Sequence, residues 1–95
     1  MTLAEAQLQI EAIYLARDAA RGMAGNIQWF VEEVGELARA LRRGDSAAQR
    51  EEFADVFAWF SILATLAGVR LDEAVAGRYG AGCPKCRTTP CGCAP

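Results

Sequence analysis

Ninety-five residues admit one small domain, and a monomer of that size buries only about 60–65% of the surface its unfolded chain exposes. The chain is nevertheless 53% hydrophobic, with nineteen alanines and three prolines, a composition that favours helices because alanine loses no side-chain entropy in them. Its formal net charge of −2 argues against a nucleic-acid binder working by phosphate neutralisation.

The N-terminal segment carries Glu5 and Glu11 and has no basic stretch leading into an apolar one, so it does not read as a secretory signal. Leu3, Gln7 and Ile10, then Ile13, Tyr14 and Arg17, set a helical period over residues 2–21. Two glycines in RGMAGN break it, and Asn26 is the expected N-cap of a second helix. From Ile27 to Arg43, the residues Ile27, Phe30, Val31, Val34, Leu37, Ala38 and Leu41 follow the i, i+3, i+4, i+7 rule. Arg42, Arg43 and Gly44 suit its C-terminus. Asp45 or Ser46 caps a third helix reaching about Ala67, and Leu71 to Arg78 forms a short fourth one. The uncharged run from Val56 to Val69 is 14 residues long, too short to span a membrane and typical of a buried helix. No strand pattern or internal repeat stands out. The expected fold is a small all-α bundle over residues 1–80, completed by association with further copies of the chain.

The informative residues are acidic. Residues three apart on a helix are neighbours, so Glu33 with Glu36 and Glu52 with Asp55 each form a carboxylate pair on one face. Glu33 and Glu36 border the apolar stripe with Trp29 between them in angle, whereas Glu32 falls on the far side with Arg39 and Arg43. On the third helix Phe53, Val56, Phe57, Phe60, Leu63 and Ala64 cover one side, and Glu52, Asp55 and Trp59 share the other with Ile62 and Leu66. A helix apolar on almost every side is a buried one, and carboxylates inside it are costly unless paired or bound to metal. Either motif alone reads as a solvated helix face; both together, beside tryptophans, read as a cation site. All-oxygen ligands suit Mg²⁺, Mn²⁺ or Ca²⁺. The chain contains no histidine, so it cannot supply the Glu-x-x-His motif of a di-iron bundle. Trp29 and Trp59, one turn from the acids, read equally as core aromatics or as platforms for a base.

Glu33-Val-Gly-Glu36, fifteen residues, then Glu52-Phe-Ala-Asp55 resembles the ExxE…ExxD signature of MazG-like nucleotide pyrophosphohydrolases. The wording EEVGELARAL and EEFADVFAWF is similar too, and the resemblance continues through VRLDEAVAGRYG, covering Asn26 to Gly80. It implies Mg²⁺-dependent hydrolysis of a nucleoside triphosphate to monophosphate and pyrophosphate, with Mn²⁺ as a substitute, by an all-α homodimer or homotetramer. It also implies that Glu33, Glu36, Glu52 and Asp55 hold the metal and form the catalytic set, and that Arg78 contacts phosphate. The chain departs from the family pattern where Gly80, Ala81 and Gly82 follow Tyr79, and its lack of histidine leaves base recognition open.

All four cysteines lie in the last 13 residues. Cys83-Pro-Lys-Cys86, four residues, then Cys91-Gly-Cys93 offers two closely spaced thiol pairs over a tail of residues 81–95. Four thiolates suit tetrahedral Zn²⁺; the other reading is a flexible tail of free thiols. With no sign of secretion, a cytoplasmic protein with reduced thiols is expected. The alternative to an enzyme is a helical interaction module whose zinc-bound tail docks a protein or nucleic acid.

Overall fold

The computed structural model describes all residues, Met1 to Pro95, and contains four helices: α1 (Leu3–Arg21), α2 (Met23–Arg43), α3 (Ser46–Leu66) and α4 (Leu71–Tyr79). No residue is in a strand. Thr2 and Glu5 close a reciprocal capping box on α1, each side chain bonding the other's backbone N–H at 3.1 Å. The Asp45 carboxylate accepts the Ala48 N–H at 3.1 Å and caps α3.

The junction of α1 and α2 differs from the sequence expectation. A single residue, Gly22, separates the helices, at φ 85° and ψ 165°, a conformation that only glycine adopts readily. Helix α2 therefore begins at Met23, and Asn26 lies inside it rather than capping it. The fully buried Asn26 carboxamide instead donates to the Asp18 carbonyl at 2.7 Å and the Gly22 carbonyl at 2.8 Å. The Asp18 carbonyl near the end of α1 otherwise lacks a helical partner, because the Gly22 N–H bonds the Ala19 carbonyl instead.

Helices α2 and α3 form an antiparallel hairpin. Its level is marked by the Gln49 side-chain amide donating to the Ala40 carbonyl at 3.3 Å and by the facing pairs Phe30–Phe60 and Trp29–Trp59. Helix α1 packs across α3 and also touches α2 and α4. After Leu66 the chain bends by 92° into α4. Gln7, fully buried, holds that corner: its amide donates to the Thr65 hydroxyl at 3.1 Å and the Val69 carbonyl at 2.9 Å, and its oxygen accepts the Leu71 N–H at 2.8 Å. Glu11 joins the same corner, accepting from the Thr65 hydroxyl at 2.8 Å and pairing with Arg70.

The apolar core of one chain is small. Ala40, Ile62, Ala64 and Leu71 are its buried hydrophobic residues, while Phe53 and Phe60 remain 54% and 42% exposed. Within a single chain α3 thus buries one side and leaves its phenylalanine face uncovered. No single helix is long and apolar enough to cross a membrane.

Candidate active site

The hairpin brings three of the four expected acids together. Carboxylate oxygens of Glu33 and Glu36 on α2 and of Glu52 on α3 lie within 4.8 Å of one another. Glu33 and Glu52 are half-buried and Glu36 is exposed. One oxygen each of Glu33 and Glu52 is shielded from solvent and has no hydrogen-bond partner. Such groups are rare in folded proteins because desolvation without a partner is costly.

No basic residue forms an ion pair with the cluster: the ion pairs of the structure are Arg17–Asp18, Arg21–Asp18 and Arg70–Glu11. Arg39 and Arg43, expected on the far side of α2, instead reach the rim of a groove shared with Glu36 and Glu52. Neither forms an ion pair there. The charge left on the cluster shows in Glu33, whose carboxyl is pushed up to about 7, first by burial and then by Glu36, Glu52 and Asp55. Close, partly desolvated carboxylates with orphaned oxygens are the donor set of a hard divalent cation. The residues fit such an ion.

Asp55 stands apart from the three. One turn along α3 from Glu52, it lines a small cavity of about 80 Å³ with Tyr14, Arg17 and Asp18 of α1 and with Ala58 and Trp59. It still lies near enough to act electrostatically on Glu33. The α1 residues are the part of the site that sequence reasoning missed. Asp18 is buried and accepts from Arg17 at 2.9 Å and from Arg21 at 3.0 Å. The Arg21 guanidinium also donates to the Asn26 side-chain oxygen at 3.0 Å and lies 5.2 Å from the Trp59 ring centroid. Arg17 sits 4.5 Å above the Tyr14 ring. Tyr14, Arg17, Asp18 and Arg21 share the i, i+3, i+4, i+7 spacing of one helix face. That polar stripe was the available signal.

Trp29 and Trp59 stack on each other, with centroids 6.1 Å apart and planes 14° from parallel. Arg78 is elsewhere. It lies 5.9 Å from the Tyr79 ring and lines an open groove of about 380 Å³ with Gly77, Ala81, Gly82, Cys83, Pro84 and Arg87. No cluster carboxylate borders that groove. Beyond it, the sulfurs of Cys83, Cys86, Cys91 and Cys93 lie within 4.8 Å of one another, a second group able to hold a metal.

Fold and site together define an all-α protein whose central helical hairpin carries a carboxylate cluster suited to a metal ion. Residues 21–79, more than half of the chain, match the MazG nucleotide pyrophosphohydrolase domain. The chain belongs to the MazG family, whose members typically use a divalent metal. No curated protein matches the sequence.

Proposed function

We propose that this protein hydrolyses nucleoside triphosphates to the monophosphate and pyrophosphate in a Mg²⁺-dependent reaction that clears or controls nucleotide pools. The observation that carries this reading is the Glu33–Glu36–Glu52 cluster, with its two buried and partnerless oxygens, on the hairpin of a MazG-family chain. Those three residues would hold the metal, with Asp55 adding a fourth negative charge beside them. A bound divalent cation supplies charge neutralisation for the phosphates and lowers the pKa of an attacking water.

The chain's own groups supply the rest. Without a cation, the acidic cluster repels a polyphosphate, so substrate binding depends on the metal. Phosphoryl transfer demands positioning and charge stabilisation more than covalent chemistry. Arg17 and Arg21, held in place by buried Asp18, are cations beside Asp55 and Trp59. The half-exposed Trp29 indole, 47% accessible, offers a face to a base. Arg78, which lines a separate groove with Arg87, would contact phosphate.

The reading includes self-association as a homodimer or homotetramer. It is supported by a groove of about 340 Å³ lined only by apolar residues, among them Phe53, Val56, Phe57, Phe60, Leu71 and Val75. Pyrophosphate release from a panel of standard and modified nucleoside triphosphates, with and without Mg²⁺, tests the activity. Cleavage of one or more substrates with Mg²⁺ is expected, together with a loss of at least about 100-fold in Glu36→Gln and Glu52→Gln, each of which removes a charged group from the metal set. No cleavage of any triphosphate, or unchanged rates in both variants, would overturn it.

A further inference from the structure

We propose that Cys83, Cys86, Cys91 and Cys93 bind one Zn²⁺ in a closed tetrathiolate site, and that this ion takes the place of a hydrophobic core in residues 81–95. The site is separate from the acidic cluster and does not depend on the hydrolase reading.

Geometry is the first support. All four sulfurs lie within 4.8 Å of one another, none is in a disulfide, and Cys83 Sγ and Cys93 Sγ are 3.8 Å apart. A tetrahedral zinc with Zn–S bonds of about 2.3 Å separates its sulfurs by about 3.8 Å. The spacing Cys-x-x-Cys, four residues, Cys-x-Cys turns the chain back on itself so that both pairs meet.

The surroundings of the sulfurs are the second support. Ligating groups are oriented by hydrogen bonds from their neighbours. Here the Gly92 N–H donates to Cys86 Sγ at 3.3 Å and the Cys93 N–H to Cys91 Sγ at 3.4 Å. The Thr88 hydroxyl lies 2.9 Å from Cys86 Sγ. Four thiolates around Zn²⁺ carry two net negative charges, and Lys85 and Arg87 within the same loop provide two positive ones.

The third support is that little besides a metal holds this loop. Residues 81–95 contain no helix or strand, and none of them is buried. The backbone is nonetheless closely wound: the Cys83 N–H reaches the Thr88 carbonyl at 3.1 Å, and the Arg87 N–H reaches the Cys83 carbonyl at 2.6 Å. Gly82, at φ 100°, passes so near the 88–89 segment that an added Cβ would lie 2.7 Å from the Thr89 hydroxyl and 2.8 Å from the Thr88 carbonyl. A few exposed hydrogen bonds do not offset the conformational entropy lost on ordering such a segment. Metal coordination does so in small domains that fold only when loaded.

The donor set selects the ion. Soft thiolates favour zinc or iron over the hard cations suited to the carboxylates. With four protein ligands no coordination position stays open, as in structural rather than catalytic zinc sites. Arg87 belongs to the loop and borders the groove of Arg78, so zinc loading also fixes one wall of that groove.

The test uses the full chain purified under reducing conditions from zinc-supplemented culture, with metal content measured by plasma mass spectrometry. One zinc per chain is expected. It should be retained in Glu33→Gln/Glu52→Gln and lost in Cys91→Ser/Cys93→Ser, with the helical circular dichroism of the latter unchanged. Replacement by Co²⁺ should give sulfur-to-cobalt charge-transfer absorption and the intense visible bands of tetrahedral cobalt. Zinc retained by the cysteine variant, iron in its place, or four thiols reacting equally fast with and without zinc would overturn the proposal.

Discussion

Trp29 of α2 and Trp59 of α3 stack across the hairpin with ring planes 14° from parallel, and Arg21 of α1 lies over the Trp59 ring. Three helices therefore meet at one indole, one turn from the acids. Stacked aromatic pairs contribute about 0.5–1.5 kcal/mol beyond their area, so Trp29→Ala should cost about 1 kcal/mol or somewhat more in urea unfolding. If the indole also contacts the base, the same variant raises KM at least tenfold while kcat changes little. An unchanged KM would restrict the pair to a packing role. The two tryptophans are the only ones in the chain, so nucleotide titration can be followed directly by their fluorescence.

The raised Glu33 carboxyl has a defined effect on metal binding. Its value of about 7 in the folded protein exceeds the ordinary 4.5. Between those two values the native state holds a proton that the unfolded state has released. The contribution of Glu33 to the stability of the metal-free protein should therefore fall as pH rises from about 4.5 to about 7, and level off above. A coordinated carboxylate must be ionised, so Mg²⁺ competes with that proton. Affinity should weaken by up to tenfold per pH unit below 7, with up to one proton released per ion bound. Calorimetry in buffers of different ionisation enthalpy reads the proton release, and Glu33→Gln should abolish the stability slope. Metal binding with no proton release at pH 6 would contradict this account.

Gln7 holds the α3–α4 corner by three hydrogen bonds, including one from the N–H of the first α4 residue. Gln7→Leu fits the volume but leaves the Leu71 N–H and the Val69 carbonyl without partners. A loss of about 2–4 kcal/mol is expected, since each buried unsatisfied group costs about 1–3 kcal/mol. Chemical denaturation measures it, and a loss below 1 kcal/mol would show that water replaces the amide.

The uncovered phenylalanine face predicts the response of assembly to charge. Phe53→Asp adds a carboxylate to a residue already 54% exposed, so the monomer loses little. Any interface burying that groove would then contain an unpaired charge, at a cost of several kcal/mol. Light scattering coupled to gel filtration should show oligomers for the parent chain and monomers for the variant. A monomeric parent at micromolar concentration would remove the self-association proposal.

Much of this protein is legible in its sequence because helices are local objects. Alanine content, the 3.6-residue period, Asp45 ahead of α3 and Gly44 behind α2 define the helices by interactions within a few residues. The spacing of Glu33, Glu36, Glu52 and Asp55 likewise places each pair on one helix face. How far two helices are rotated against each other is not a local property. Packing of the hairpin brings Glu33, Glu36 and Glu52 within 4.8 Å but turns Asp55 toward the α1 cavity.

Asn26 shows the same limit. Its type suits a cap, and it does satisfy helix-end groups, but those of the preceding helix, because Gly22 folds α2 back against α1 in a single residue. The polar stripe of Tyr14, Arg17, Asp18 and Arg21 could be placed on one face of α1 by its spacing, but only the docking of α1 on α3 shows that it borders Asp55 and Trp59. By itself, then, the sequence determined the helices, the acid pairs and the thiol spacing of the tail, all set over a few residues. The tertiary structure decided which acids meet, what Asn26 caps and where Arg78 lies, because those distances depend on packing between elements far apart in the chain.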